Sequence, residues 1–124
     1  MLNVLLVALG GGLGAAGRYG VSLAMPAKPG DWPWATFSIN VAGSLLIGVL
    51  AGWLARSPDG EQWRLFLGVG VLGGFTTFSA YSLETLRMIE RGDWAGAALY
   101  ALGSVAAGLA AVAIGMELTK RIAA

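Results

Sequence analysis

Four apolar runs, each long enough to cross a bilayer, take up nearly the whole chain. A helix crosses the hydrocarbon in about 20 residues. The runs cover residues 2–23, 34–55, 63–86 and 94–118. Turn-forming clusters divide them: Pro26, Pro29 and Gly30, then Ser57-Pro58-Asp59-Gly60, then Arg91-Gly92-Asp93. Asp93 suits the N-cap of the fourth run. Trp32, Trp34, Trp53, Trp63 and Trp94 all fall near run ends, where indoles favour the headgroup zone. Backbone immersed in lipid must satisfy its hydrogen bonds within its own segment, so these runs fold as helices. The expected fold is an all-α membrane protein, one domain over residues 1–124 with four transmembrane helices.

Composition agrees with lipid as the solvent. The chain is 56% hydrophobic and 12% charged, with mean hydropathy +0.70. A soluble domain carries about 25% charged residues, so this chain has too few to make a water-compatible shell. It has no Cys and no His, which removes the commonest metal ligands, thiol nucleophiles and imidazole bases. A net charge of +1 gives no footprint for nucleic acid. Met1-Leu2-Asn3-Val4 lacks the basic start of a signal peptide, so the first run reads as a retained helix.

Small residues recur every four positions. Gly10 and Gly14 share a face of the first run. Thr36, Asn40, Ser44, Gly48 and Gly52 form a stripe on the second, and Gly96, Tyr100, Ser104 and Gly108 on the fourth. Such stripes let helices approach closely. Asn40, Tyr100 and Ser104 also bring hydrogen-bonding groups to the middle of spans.

Lys and Arg are almost evenly divided. Arg56, Arg64, Lys120 and Arg121 fall on the side of the termini; Lys28, Arg87 and Arg91 fall on the other, with Arg18 if it reaches that interface. The usual cytoplasmic excess that sets orientation is nearly absent. Either the chain inserts both ways, which allows an antiparallel homodimer, or one side wins weakly. Four short helices pack around a filled centre; eight, in a dimer, leave room for a protein-lined path.

The third run is the anomalous one. Gly73-Gly74-Phe75-Thr76-Thr77-Phe78-Ser79-Ala80-Tyr81-Ser82-Leu83-Glu84 places glycines, hydroxyls and aromatics at mid-membrane depth. Polar or broken backbone survives there only against protein or a water-filled path. Two adjacent glycines cost about 2 kcal/mol relative to alanine, so a break is expected at Gly73-Gly74. A break frees carbonyls, which ligate cations, and amides, which favour anions; its other use is a kink for packing. Phe78 and Tyr81 lie three apart and project from one face. Their rings have positive edges that can line an anion path without a fixed charge. The Asn40 amide and the hydroxyls of Ser79, Ser82, Tyr100 and Ser104 add donors. Glu84 and Arg18 are the ionisable groups nearest this region, as vestibule or structural charges.

At these residues the sequence resembles the Fluc (CrcB-type) fluoride channels. The matching pieces are Gly10-Gly11-Gly12-Leu13-Gly14-Ala15 with Arg18-Tyr19, Thr36-Phe37-Ser38-Ile39-Asn40 with Gly43, and Gly73 to Ser79 with Glu84. The resemblance implies an antiparallel dual-topology homodimer in a bacterial or archaeal plasma (inner) membrane, with two fluoride pores. It implies a structural sodium ion on the dimer axis, held by the backbone carbonyls of Gly73 and Thr76 of both copies. The pore phenylalanines of the family fall on Phe78 and Tyr81, its pore asparagine on Asn40, and its fourth-helix polar track on Tyr100 and Ser104. Its arginine and glutamate fall on Arg18 and Glu84. Tyr81 departs from the pattern, standing where the family usually has Phe. Gly108 stands where a hydroxyl often continues the track.

The function expected is passive fluoride export giving fluoride resistance, with no enzymatic step. The first alternative is a small proton-coupled multidrug exporter, which needs a membrane-embedded carboxylate; that class typically carries it in the first span, which here has none, and Glu84, the only substitute, is badly placed. The second is a noncatalytic membrane-assembly subunit, which leaves the chemistry of Asn40 and residues 73–79 without purpose.

Overall fold

The computed structural model describes residues 1–57 and 59–123, and the long elements over that range are helical. α1 is Leu2–Ala24 and α2 is Trp34–Leu54. The third span is assembled from α3 (Glu61–Trp63), a π-helical stretch (Arg64–Leu72), α4 (Gly73–Phe75) and α5 (Phe78–Glu90). The last helix, α6, is Trp94–Ala123. Leu2–Ala24, Trp34–Leu54, Glu61–Glu90 and Trp94–Ile122 are each long and apolar enough to cross a membrane. The protein is thus an all-helical, multi-pass integral membrane protein whose third span is bent. Pro58, within the second turn cluster, lies outside the described residues.

The helix ends follow local chemistry. α1 stops at Met25, whose φ of −125° and ψ of 63° lie outside the helical region that the following Pro26 disfavours. Gly92, at φ 81°, closes α5: its N–H bonds the Ile89 carbonyl, and the Asp93 N–H bonds the Met88 carbonyl. This left-handed cap satisfies the last carbonyls of the helix. The Asp93 carboxylate then accepts the Gly96 N–H at 2.9 Å and starts α6.

Two tightly packed pairs make up the bundle. α1 lies against the π-helical stretch and α4, and α2 against α6. In the first pair a Cβ on Gly10 would strike the Phe66 carbonyl oxygen, one on Gly14 the Val71 carbonyl oxygen, and one on Gly74 the Gly11 carbonyl oxygen. In the second, Gly48 meets the Val112 carbonyl and Gly115 the Leu45 carbonyl. Thr119 locks that pair with a 3.0 Å hydrogen bond from Oγ1 to the Val49 carbonyl. Gly96, on the expected stripe, lies nearest its own capping Asp93; the close approach to α2 is made further along α6, at Gly115.

The interior is thin. Among the described apolar residues, Ile39, Leu50, Met88, Ala97, Tyr100 and Ala111 are the buried ones, and many leucines and tryptophans face outward. The single chain exposes 7704 Å², against roughly 6,200 Å² for a water-soluble monomer of its mass. Much apolar surface is therefore left for lipid or another protein to cover.

Candidate functional site

The break in the third span lies at Thr76 and Thr77, three residues beyond its expected place at Gly73-Gly74. Thr76 (φ −78°, ψ 157°) and Thr77 (φ −148°, ψ 113°) are extended, whereas Gly73 is helical at φ −63°, ψ −38°. Gly74 serves a different need: its bare face lets Gly11 of α1 approach. The threonines terminate the two half-helices. Thr76 bonds the Leu72 carbonyl through both its N–H (3.0 Å) and its Oγ1 (2.9 Å). Thr77 Oγ1 accepts the Ala80 N–H at 3.2 Å and caps α5.

Asn40 clamps the extended residue from α2. Its Oδ1 accepts the Thr77 N–H at 2.8 Å, and its Nδ2 donates to the Thr77 carbonyl at 3.1 Å. One backbone group is only a donor and the other only an acceptor, so this pairing fixes which way the amide points. One amide hydrogen stays uncommitted. One turn on, Gly43 has no side chain to obstruct the Thr76 methyl.

The same hydrogen bonds divert the helical donors of two carbonyls, and the break also removes those of Gly74, which accepts from Arg18, and of Phe75. In a continuous helix the Thr77 N–H would bond Gly73, and the Ala80 N–H would bond Thr76. Asn40 takes the first donor and the Thr77 hydroxyl the second. Gly73 and Thr76 thus lose their helical partners. They are the two residues whose carbonyls the family resemblance implies as sodium ligands.

These groups line an open cavity of about 420 Å³. Asn40, Gly73, Thr76, Phe78, Tyr81 and Ser104 all face it, and among the described residues no charged side chain does. Phe78 is 78% exposed on its wall. Ser104 Oγ is buried with no protein partner. Tyr81 donates its hydroxyl to the Ala101 carbonyl at 2.9 Å. Ser44 and Thr77 also line the cavity, although the sequence reading did not place them in the path. The signal for Ser44 was present, since it follows Asn40 by four positions on the α2 stripe.

The remaining candidates lie off this cavity. Ser79 is exposed within 3.2 Å of Thr77 Oγ1, and Ser82 is exposed on α5. Tyr100 is completely buried. Glu84 takes the Thr36 hydroxyl at 2.6 Å on one oxygen and the Tyr100 hydroxyl at 3.0 Å on the other, so one carboxylate joins α2, α5 and α6. Glu84 and Thr36 also line a second cavity of about 590 Å³, with Lys28, Arg87 and Arg91 around it. Arg18 turns inward, and its Nε donates to the Gly74 carbonyl at 3.2 Å. It braces the broken helix from α1.

The family profile described as CrcB-like protein, Camphor Resistance (CrcB), matches residues 5–116. The chain belongs to the CrcB family. It is 55% identical to a protein of Novosphingobium aromaticivorans named Fluoride-specific ion channel FluC, over 99% of this chain and 100% of that one. It is 52% identical to a protein of the same name from Methylobacterium nodulans, over 98% of each. A Nitrobacter hamburgensis protein named Fluoride-specific ion channel FluC 2 is 46% identical over 98% of this chain and 99% of its own length.

Proposed function

We propose that this chain is a fluoride channel that lets cytoplasmic fluoride leave passively and so gives resistance to it. The observation that carries the reading is the cavity at the break, which offers donors and ring edges but no charged side chain. Fluoride is small and strongly hydrated, so a path must replace its water. The spare Asn40 amide hydrogen, the unpartnered Ser104 hydroxyl and the exposed Phe78 edge supply that replacement without the tight hold of a fixed cation. Full-length relatives named fluoride channels support the same reading. Passive export has no bond-making step and calls for no catalytic group.

The exporter alternative requires a carboxylate free to exchange a proton for a drug. Both Glu84 oxygens are engaged by hydroxyls, which counts against it.

The working unit in this proposal is an antiparallel homodimer in the inner membrane. The open cavity, the exposed apolar surface and the balanced flanking charges support it. A sodium ion fits the released Gly73 and Thr76 carbonyls, because a hard cation takes uncharged oxygens. Two carbonyls per copy fall short of a shell, and a second copy would double them. Sodium would supply charge to hold the two breaks together, while Asn40 and Thr77 keep the carbonyls free. Purified protein in liposomes is expected to pass fluoride and retain chloride under a potassium gradient with valinomycin. Fluoride flux no greater than that of empty vesicles would overturn the proposal.

A further inference from the structure

We propose that the Tyr81 hydroxyl is a tether that positions the groove's second ring, and that it does not bind the anion itself. The inference rests on the channel reading above and deepens it.

Tyr81 is held at two places. Its hydroxyl reaches across from α5 to the Ala101 carbonyl of α6 at 2.9 Å. Its ring lies against Tyr100, with centroids 5.4 Å apart and planes at 44°. Tyr100 is itself immobilised: it is completely buried, and its hydroxyl is bonded to Glu84. On the other side Tyr81 meets Phe78, with centroids 5.6 Å apart and planes at 36°. Phe78 has no polar anchor and stands largely exposed in the cavity. The order of support is therefore Glu84, Tyr100, Tyr81, Phe78, from a fixed group to a free one.

A phenylalanine at position 81 would keep both ring contacts and lose the bond to α6. The hydroxyl has one proton, and Ala101 takes it. What remains on that oxygen is lone pairs, which repel an anion. Tyr81 therefore offers fluoride its ring edge, as a phenylalanine does, and spends its hydroxyl on fixing where that edge points. An interhelical hydrogen bond in a membrane protein is worth about 0.6 kcal/mol on average, a factor of about three.

The test is fluoride flux from liposomes as a function of fluoride concentration, for the native protein and Tyr81→Phe. A tether predicts that maximal flux falls about threefold, while the half-saturating concentration stays the same. Placing 4-aminophenylalanine at 81 returns a donor and is expected to restore maximal flux. A raised half-saturating concentration at unchanged maximal flux would make the hydroxyl a ligand and overturn the proposal. Identical curves for the two proteins would overturn it as well. Ring motion gives a readout independent of transport. NMR of ring-labelled protein should show slower flipping at position 81 in the native chain than in Tyr81→Phe, and equal rates would also count against a tether. A native protein without fluoride flux would sink the channel reading, while the ring rates would still decide the tether.

Discussion

At the residue scale, Asn40 both clamps the break and lines the cavity beside it. Its position in the second span makes it conspicuous, and the sequence reading gave it a donor's role. The structure adds that it holds Thr77 extended through two hydrogen bonds, leaving one amide hydrogen toward the cavity. Asn40→Ala would strand the Thr77 N–H and carbonyl at mid-membrane depth, at about 1–3 kcal/mol each. The expected result is a fluoride flux lower by about tenfold or more, with a lowered melting temperature in detergent. Phe78→Ile removes the exposed ring edge and no hydrogen bond, so flux should fall while the oligomer and melting temperature persist. Size-exclusion chromatography beside the flux assay separates the two effects. Normal flux in both variants would remove them from the path. Glu84 and Arg18 were legible from sequence as costly charges, but their partners were not. The links from Glu84 to Thr36 and Tyr100 span 48 and 16 positions, and that from Arg18 to Gly74 spans 56. Sequence periodicity carries no information over such separations.

At the element scale, the four spans were legible because hydrocarbon thickness sets their length and turn clusters mark their ends. The break was legible in kind and misplaced by three residues. Glycine propensity points to Gly73-Gly74, yet both are helical, and tertiary packing makes Gly74 an asset there because it meets Gly11. Extended threonines at 76 and 77 were hidden because their stabiliser, Asn40, comes from another helix. The π-helical stretch Arg64–Leu72 left no periodic signature that distinguishes it from an ordinary helix. Glycine substitutions test this division of labour. A methyl on Gly14 would meet the Val71 carbonyl oxygen and the Phe75 amide, both of them backbone that cannot rotate away, whereas Gly20 has no atom within 4 Å of that site. Gly14→Ala is expected to destabilise by about 1–3 kcal/mol or more. Gly20→Ala should be neutral or stabilising by up to about 1 kcal/mol. Thermal unfolding in detergent, read by near-ultraviolet circular dichroism, checks both; equal melting temperatures would show that α1 does not pack through Gly14.

At the scale of the whole molecule, charge balance and surface exposure bear on the proposed assembly. Arg18 is turned into the bundle, so four flanking cations face three across the membrane. So small a bias sets orientation weakly. The bundle meanwhile leaves its cavity and the exposed Phe78 ring open on one side. If copies insert in both orientations and pair, tilting the bias should silence each variant alone. Arg56→Gln, Lys120→Gln and Arg121→Gln together leave one flanking cation on the side of the termini against three. Lys28→Gln with Arg91→Gln leaves four against one. Each set of substitutions lies at the ends of spans, away from the cavity at the break. Expressed singly in a fluoride-sensitive host, each variant would insert one way, lack its antiparallel partner and fail to protect. Expressed together, they would supply one copy in each orientation and restore growth in fluoride. Full protection by the strongly biased Lys28, Arg91 variant alone, with its termini shown on one side by reporter fusions, would mean that parallel or single copies suffice. The second copy would then have no place in the path.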